Sequence, residues 1–191
     1  MSAITPLIPR QQVPSLEVPT VGGGTWSLAD QKPEKYTMVV FYRGLHCPIC
    51  SMYLGDLNRK AGQFAEKGVT VIVVSSDDEA RATEAKDKWG LDQLTVAYGM
   101  SMEKAREWGL YISTSKGKTS TGHMEPPLFS EPGIFFVKPD NTLYFANVQT
   151  MPFARPAFGD ILKALDFVIE RDYPARGEVV DHTQEASQAA E

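Results

Sequence analysis

The feature that most constrains the fold is a pair of apolar, β-branched runs with one amphipathic helix pattern between them. Residues 36–42 and 69–74 are apolar through their middles, as is typical of strands buried on both faces of a parallel sheet. Between them, apolar side chains recur at helical spacing from Pro48 to Gly68, and these two residues suit the first turn and the end of a helix. This strand–helix–strand unit predicts an α/β fold.

The rest of the chain extends this α/β pattern and closes it with a hairpin. The further predicted elements are a charged helix at 77–89, a weak strand at 94–98, a short helix at 102–108, hairpin strands at 133–137 and 142–147, and a last helix at 158–169. Together they predict a mixed central β-sheet flanked by helices in one domain, residues 13–172.

Four segments do not belong to this layered pattern. We expect an N-terminal arm at residues 1–12 and a short hairpin around glycines 22–24. Residues 113–131 are predicted to form a long polar loop, and such loops are often functional. Residues 173–191 are polar and acidic, which predicts a disordered tail.

Charge and hydropathy exclude several classes of protein. The net charge of −5 argues against a nucleic-acid-binding surface, which needs clustered Lys and Arg. No apolar run approaches the roughly 20 residues of a membrane span. Because the N-terminus lacks a basic stretch followed by an apolar one, we expect a cytoplasmic protein with small-molecule or protein partners.

The chemistry is concentrated in the only two cysteines, Cys47 and Cys50, which form a CPIC sequence where the first buried strand meets the first helix. Cys47 precedes the helix, so unpaired backbone N–H groups and the helix dipole favour its thiolate and should lower its pKa. Cys50 follows one turn later on the same face, within reach of a disulfide. The pair therefore predicts a redox centre, with Cys47 attacking and Cys50 resolving.

Two other interpretations of the cysteines stay open. They could be buried structural cysteines, since free Cys packs well in a core. A zinc site would need further ligands from the scattered His46, His123 and His182.

Several neighbours of the cysteines are candidate supporting residues. Arg43 could add positive charge beside Cys47, and His46 could tune that charge or simply fill space. Arg155 lies between prolines, where the residue type favours an exposed charge and contact with the thiolate is the alternative. Neither the glycines at 22–24 nor the GKTS sequence at 117–120 fits a nucleotide site. The redox interpretation of the cysteines implies no organic cofactor and no metal.

Four stretches carry a resemblance to a known family. They are PSLEVP with the following GGGTWSL, VVFYRGLHCPIC ending at Cys50, VTVIVVSSD, and PGIFFVKPDNTLYFANVQTMPFARP from Pro132 to Pro156. On these the chain resembles the peroxiredoxin-like alkyl hydroperoxide reductase and thiol-specific antioxidant (AhpC/TSA) family, as a CPxC variant. The resemblance covers about Val13 to Val168 and implies a thioredoxin-like fold.

The resemblance also implies roles for single residues. It gives Cys47 the peroxidatic position, with Pro48 following it, and Cys50 the resolving position. Pro132 matches the place where thioredoxin folds carry a cis-proline facing the cysteines, and Arg155 matches an arginine that peroxiredoxins carry after the hairpin.

The chain departs from the family pattern at three positions. Val40 and Gly44 stand where typical peroxiredoxins have a proline and a Thr or Ser, and Pro132 stands where they tend to have an arginine.

The expected function is reduction of hydroperoxides by Cys47 and Cys50, with a thioredoxin or glutathione system as the reductant. The CPIC sequence is also similar to that of glutaredoxins, which favours a disulfide oxidoreductase as the alternative. A redox-sensing module without turnover, acting through the 113–131 loop, is a third interpretation. The sequence leaves a homodimer open.

Overall fold

The computed structural model describes residues 4–181 and makes the two apolar runs neighbours in a central sheet. The strands are β1 (Glu17–Pro19), β2 (Thr25–Ser27), β3 (Tyr36–Phe41), β4 (Val69–Val74), β5 (Thr95–Ala97), β6 (Ile112–Thr114), β7 (Leu128–Ser130), β8 (Gly133–Val137) and β9 (Leu143–Val148). The helices are α1 (Pro48–Glu66), α2 (Glu79–Trp89), α3 (Met102–Glu107) and α4 (Phe158–Glu170), with a short 3-10 turn at Leu28–Asp30.

The sheet has five strands in the order β5-β4-β3-β8-β9. β3 and β5 both run parallel to β4, whereas β8 is antiparallel to β3 and β9 is antiparallel to β8. All six residues of the central β3 are buried, which explains why its sequence is apolar without alternation. The predicted mixed sheet flanked by helices is confirmed.

Helices and loops cover the sheet on both faces. On one face, α1 and α4 bury leucine and phenylalanine side chains against alternate residues of β3 and β8. On the other, Trp108 at the end of α3 packs with Phe41 and Phe135, and the N-terminal hairpin adds Leu16 and Leu28. The alternation of side chains along the strands thus divides the core into two layers.

The predicted hairpin around glycines 22–24 is formed by β1 and β2, which pair antiparallel. Helix α2 begins two residues later than predicted, at Glu79, because the Asp78 side chain accepts a hydrogen bond from the Arg81 backbone N–H and so caps the helix. This later start leaves Asp77 in the connection between β4 and α2.

The prediction of a long loop at 113–131 is wrong at both ends. β6 and β7 pair antiparallel, with Ile112 opposite Ser130, and an isolated bridge joins Lys118 to Met124. Residues 112–131, called the ribbon below, thus form a folded-over pair of extended segments. Its strands have three residues each, too few to show the apolar alternation that predicts a strand.

The chain after α4 also differs from the prediction of a disordered tail. Residues 173–178 lie against the N-terminal arm, where Arg10 Nε donates a hydrogen bond to Ala175 O at 3.0 Å and Arg10 forms an ion pair with Glu178. Backbone carbonyls are the main partners, and polar composition does not reveal them. The rest of the predicted tail, residues 182–191 with His182, lies outside the described residues.

Across residues 4–181, no helix is both long and apolar enough to cross a bilayer.

Phe135 gives a test of the core. Its ring packs between Phe41 and Trp108 and is 1% exposed. We expect Phe135→Ala to lower the free energy of unfolding by about 3–5 kcal/mol through lost burial and the cavity left behind. Urea unfolding followed by circular dichroism measures this.

The matched control is Phe167→Ala, because Phe167 is a phenylalanine of α4 that is 54% exposed. This change should cost less than about 1 kcal/mol. Equal losses for the two variants would contradict this packing of the core.

Candidate active site

The loop between β3 and α1 places both cysteines at the start of α1. Cys47 is the N-cap residue and Pro48 is in the first turn, where its missing N–H is not needed. The Cys47 N–H donates to Gly44 O, and the Cys50 N–H donates to Cys47 O, both at 3.1 Å. The two side chains are buried, at 1% and 0% exposure. The strand-to-helix turn thus holds two thiols together, out of water.

Two arginines bring positive charge to the sulfur atoms. Arg43 Nη1 lies 3.9 Å from Cys47 Sγ. Arg155 Nη2 lies 3.2 Å from Cys50 Sγ and 4.0 Å from Cys47 Sγ, although it is 108 residues away in sequence from Cys47. The interpretation of Arg155 as an exposed surface charge is therefore wrong, and the alternative, contact with the cysteines, is what the structure shows.

Helix α1 itself holds Arg155 in this position. The guanidinium lies over the Tyr53 ring, 4.9 Å from its centroid, and the Tyr53 hydroxyl donates to Pro156 O at 2.6 Å. A cation over an aromatic face is attracted by the ring quadrupole. One aromatic side chain thus fixes both the arginine and the backbone next to it.

The surroundings drive the pKa values of the two thiols apart. The pKa of Cys47 falls to about 6, mainly because Cys50 hydrogen-bonds to it, with Arg155 and Arg43 adding to the effect against the opposing effect of burial. Burial, first of all, raises the pKa of Cys50 well above its usual range, and the neighbouring Cys47 raises it further. At neutral pH the site therefore holds a thiolate at Cys47 and a thiol at Cys50.

His46 is neutral and fills space. Its side chain is fully buried, with its ring 4.6 Å from that of Phe129, and burial together with the nearby Arg43 lowers its pKa to about 4. Of the two roles left open by the sequence, tuning charge near Cys47 is not supported.

The ribbon supplies carboxylates that hold Arg43. Arg43 lies 3.5 Å from Glu125 and 3.3 Å from Glu131, and its guanidinium stacks over Phe129 at 4.7 Å. Glu131 also accepts a hydrogen bond from Ser113 Oγ. These residues were missed in the sequence because they fall in a segment without periodicity, and their only signal was two acidic residues in a long loop.

Pro132 does not have the cis peptide bond that the family resemblance implied. The described residues contain no cis peptide, so the bond before Pro132 is trans. Trans is the lower-energy form of an X-Pro bond by about 0.5–1 kcal/mol. Here the Pro132 carbonyl accepts a hydrogen bond from the Gln149 N–H and so continues the pairing of β8 with β9. Pro132 still lies near the site, lining a small crevice with Arg155.

The departures from the family pattern have clear places in the structure. Val40 is buried inside β3, and Gly44 packs against the side chain of Asp77. Neither residue offers a hydroxyl group to the site. The side chains that can donate to the Cys47 sulfur are Arg43, Arg155 and the Cys50 thiol.

A cavity of about 190 Å³ lies beside Cys47. Its walls come from the start of α1, the end of α2 and the ribbon, through Leu45, Cys47, Pro48, Ser51, Lys88, Trp89, Thr121 and His123. One water takes up about 30 Å³ of the liquid, so the cavity has room for a small organic molecule. The sequence did not indicate that Trp89 and His123 would meet here.

Of the candidate zinc ligands, His182 lies outside the described residues, and the others do not gather into a site. Within residues 4–181, no three His, Cys, Asp or Glu side chains are arranged to hold a metal ion.

Comparisons with known proteins agree with this geometry. The chain matches the model of the AhpC/TSA family over residues 9–146. No curated protein sequence matches it. Among solved structures, peroxidoxin BcpB from Mycobacterium tuberculosis has a TM-score of 0.66 at 16% identity, covering 85% of this chain and 98% of that one.

Two further solved structures are similar. The reduced 2-Cys peroxiredoxin of Plasmodium vivax has a TM-score of 0.69 at 15% identity and covers 87% of this chain and 84% of its own. AhpC of Mycobacterium bovis has a TM-score of 0.69 at 15% identity, with 92% and 99% covered. At these identities the likeness shows a shared fold.

Arg155 provides a test of the thiolate. We expect Arg155→Gln to raise the pKa of Cys47 from about 6 toward its ordinary value by about one pH unit, because a cation near the thiolate is lost. Thiolate absorbance near 240 nm, titrated on the reduced protein, measures the shift.

Arg59→Gln is the control, since Arg59 is an exposed arginine of α1 that pairs with Asp56. It should leave the titration unchanged. A Cys47 pKa that does not move in Arg155→Gln would contradict the assignment of Arg155 to the site.

Proposed function

We infer the function from one premise: the chain belongs to the AhpC/TSA family, whose model matches residues 9–146, and it is a peroxiredoxin-like thiol peroxidase. On that premise, we propose that Cys47 reduces a hydroperoxide and that Cys50 resolves the oxidised product. The observation that carries this proposal is the division of protonation between the two cysteines, with a thiolate at Cys47 and a thiol at Cys50.

In the first step, the Cys47 thiolate attacks the terminal oxygen of the hydroperoxide. An S–O bond forms and the O–O bond breaks, and the proton of the hydroperoxide ends on the leaving oxygen to give an alcohol, or water from hydrogen peroxide. Cys47 becomes a sulfenate, which takes up a proton from water to give the sulfenic acid. The guanidinium groups of Arg43 and Arg155 face the sulfur and can stabilise the negative charge that moves onto oxygen.

In the second step, Cys50 attacks the sulfur of the Cys47 sulfenic acid. An S–S bond forms and the hydroxyl leaves as water with the proton of the Cys50 thiol, so the two cysteines together supply two electrons. Arg155, 3.2 Å from Cys50 Sγ, favours the thiolate that this attack requires.

An external reductant, either one dithiol or two monothiols, must then supply two electrons to return the disulfide to two thiols. We propose a thioredoxin or glutathione system for this step, and a cytoplasmic location, where such systems keep cysteines reduced. We also propose a homodimer, supported by the exposed Phe145 on the edge strand β9, whose first residue, Leu143, pairs with the N-terminal arm. Sedimentation would then give about twice the chain mass of 21.1 kDa, and a single-chain mass would refute the dimer.

A disulfide oxidoreductase is the second candidate function. It is favoured by one observation, that Val40 and Gly44 bring no hydroxyl group to Cys47. In this case Cys47 would attack a protein or glutathione disulfide, and Cys50 would release the reduced product.

Hydrogen peroxide distinguishes the two functions. We expect the fully reduced protein to react in stopped flow at least about 100-fold faster than free cysteine corrected to the same thiolate fraction, because the arginines stabilise the transition state. In Cys50→Ser, the same reaction should stop at a Cys47 sulfenic acid, which a dimedone adduct and mass spectrometry detect.

Cys47→Ser is the control and should form no adduct. A rate equal to that of free cysteine, with a mixed disulfide trapped in Cys50→Ser after incubation with glutathione disulfide, would replace the peroxidase by the disulfide oxidoreductase.

A further inference from the structure

A buried carboxylate that takes no part in the reaction above lies beside the loop between β3 and α1, residues 42–47, called the Cys47 loop below. Asp77 follows β4 and is 2% exposed. Its Oδ2 accepts a hydrogen bond from the Leu45 N–H at 2.7 Å, and its Oδ1 accepts one from Arg81 Nε at 2.9 Å. Burying a carboxylate is costly unless charged and hydrogen-bonding partners compensate, and here the backbone of the active-site loop is one of those partners.

The same carboxylate explains why residue 44 is a glycine. Gly44 has a φ of +125°, which side chains rarely adopt, and a Cβ built there would lie 2.6 Å from Asp77 Oδ2 and 2.8 Å from Asp77 Cγ. Asp77 therefore fills the space that a side chain at position 44 would need. The loop and the carboxylate fit each other at van der Waals contact.

Asp77 is itself firmly placed. Its N–H donates to Ser75 Oγ at 3.3 Å, and its carbonyl accepts from the Gly99 N–H at 2.8 Å. Arg81, on the first turn of α2, holds the other carboxylate oxygen, and the buried Tyr42 lies close enough for the Asp77 charge to affect it. A side chain fixed by its own backbone and by a helix can hold a neighbouring loop in place.

We propose that Asp77 is a positioning residue for Cys47, which acts by fixing the Gly44–Leu45 peptide through the Leu45 hydrogen bond and the close contact with Gly44. This role rests on the proposed function only in taking Cys47 as the attacking thiolate.

The Gly44–Leu45 peptide is linked to Cys47 in two ways, through the carbonyl of Gly44 and through the side chain of Arg43. Gly44 O accepts the N–H of Cys47, and Arg43, the residue before Gly44, places its guanidinium 3.9 Å from Cys47 Sγ. A shift of this peptide would move Cys47 relative to Cys50 and Arg155 and would move Arg43 relative to Cys47. Because these groups are what favours the thiolate, Asp77 controls Cys47 reactivity without touching the sulfur.

The experiment compares two neighbouring carboxylates. Asp77→Ala removes the contact with the Cys47 loop, whereas Asp78→Ala removes the cap of α2 and leaves that loop untouched. Alkylation of each reduced protein by iodoacetamide is followed from pH 5 to 9, with mass spectrometry separating Cys47 from Cys50. Thermal unfolding gives the loss of stability of each variant independently.

We expect Asp77→Ala to raise the pH midpoint of Cys47 alkylation by about one unit, which slows the reaction at pH 6 about fivefold from the value set by a pKa of about 6. Asp78→Ala should stay within twofold of wild type at every pH. Asp77→Asn keeps an oxygen acceptor for the Leu45 N–H and should restore alkylation to within about twofold of wild type.

A double-mutant cycle with Gly44→Ala tests the close contact. Backbone strain at position 44 is the same whether residue 77 is Asp or Ala, so it cancels in the cycle. The clash with the carboxylate exists only when Asp77 is present. Gly44→Ala should therefore slow Cys47 alkylation several-fold more in the wild-type background than in the Asp77→Ala background.

Three outcomes would overturn the proposal: an Asp77→Ala profile that matches Asp78→Ala, an Asp77→Asn profile that matches Asp77→Ala, or additive effects in the cycle. If Asp77→Ala does not fold, Asp77→Ser, which also removes the carboxylate, takes its place in the comparison and in the cycle. Iodoacetamide needs no peroxide activity, so the failure of the peroxidase proposal in stopped flow would leave this result intact.

Discussion

The site depends on a negative sulfur held where there is almost no water. A thiolate in a buried position is unfavourable unless hydrogen bonds and positive charge compensate. Burial, together with the neighbouring Cys47, raises the pKa of Cys50 well above its usual range. Cys47 escapes this effect because the Cys50 thiol donates to it and because Arg43 and Arg155 face it. The two thiols thus form a unit in which the proton of one stabilises the charge of the other.

The fold brings these groups together from distant parts of the chain. The end of β3 and the start of α1 supply the cysteines and Arg43, and the segment after β9 supplies Arg155. The ribbon contributes the carboxylates around Arg43, and Asp77 after β4 supports the loop from behind. The parallel strands β3 and β4 form a rigid centre, and four separate loops meet at one point beside it.

Which of these features the sequence predicts depends on how far apart in the chain the interacting residues lie. The buried strands, α1 and the cysteines at its start are marked by local patterns of apolar residues and by Pro48, so they were predictable. Arg155 and Glu131 act across long stretches of chain, and nothing in their immediate neighbours indicates which side chain they will meet. The ribbon is not predicted for a related reason: its strands have three residues each, and its contacts with Arg43 and His46 leave no periodic pattern in the sequence.

The placement of Arg155 has a consequence for the balance between dithiol and disulfide. Its guanidinium contacts the two sulfur atoms and the Tyr53 ring, whereas Arg43 also has Glu125 and Glu131 as partners. In the proposed cycle a disulfide takes the place of the thiolate, so Arg155 loses its anionic partner, whereas Arg43 keeps Glu125 and Glu131. Stabilising the reduced form of a cysteine pair raises its reduction potential. Under the proposed function, the arginine that favours attack on the substrate thus also makes the oxidised protein a stronger electron acceptor, so the same charge favours the return to the dithiol.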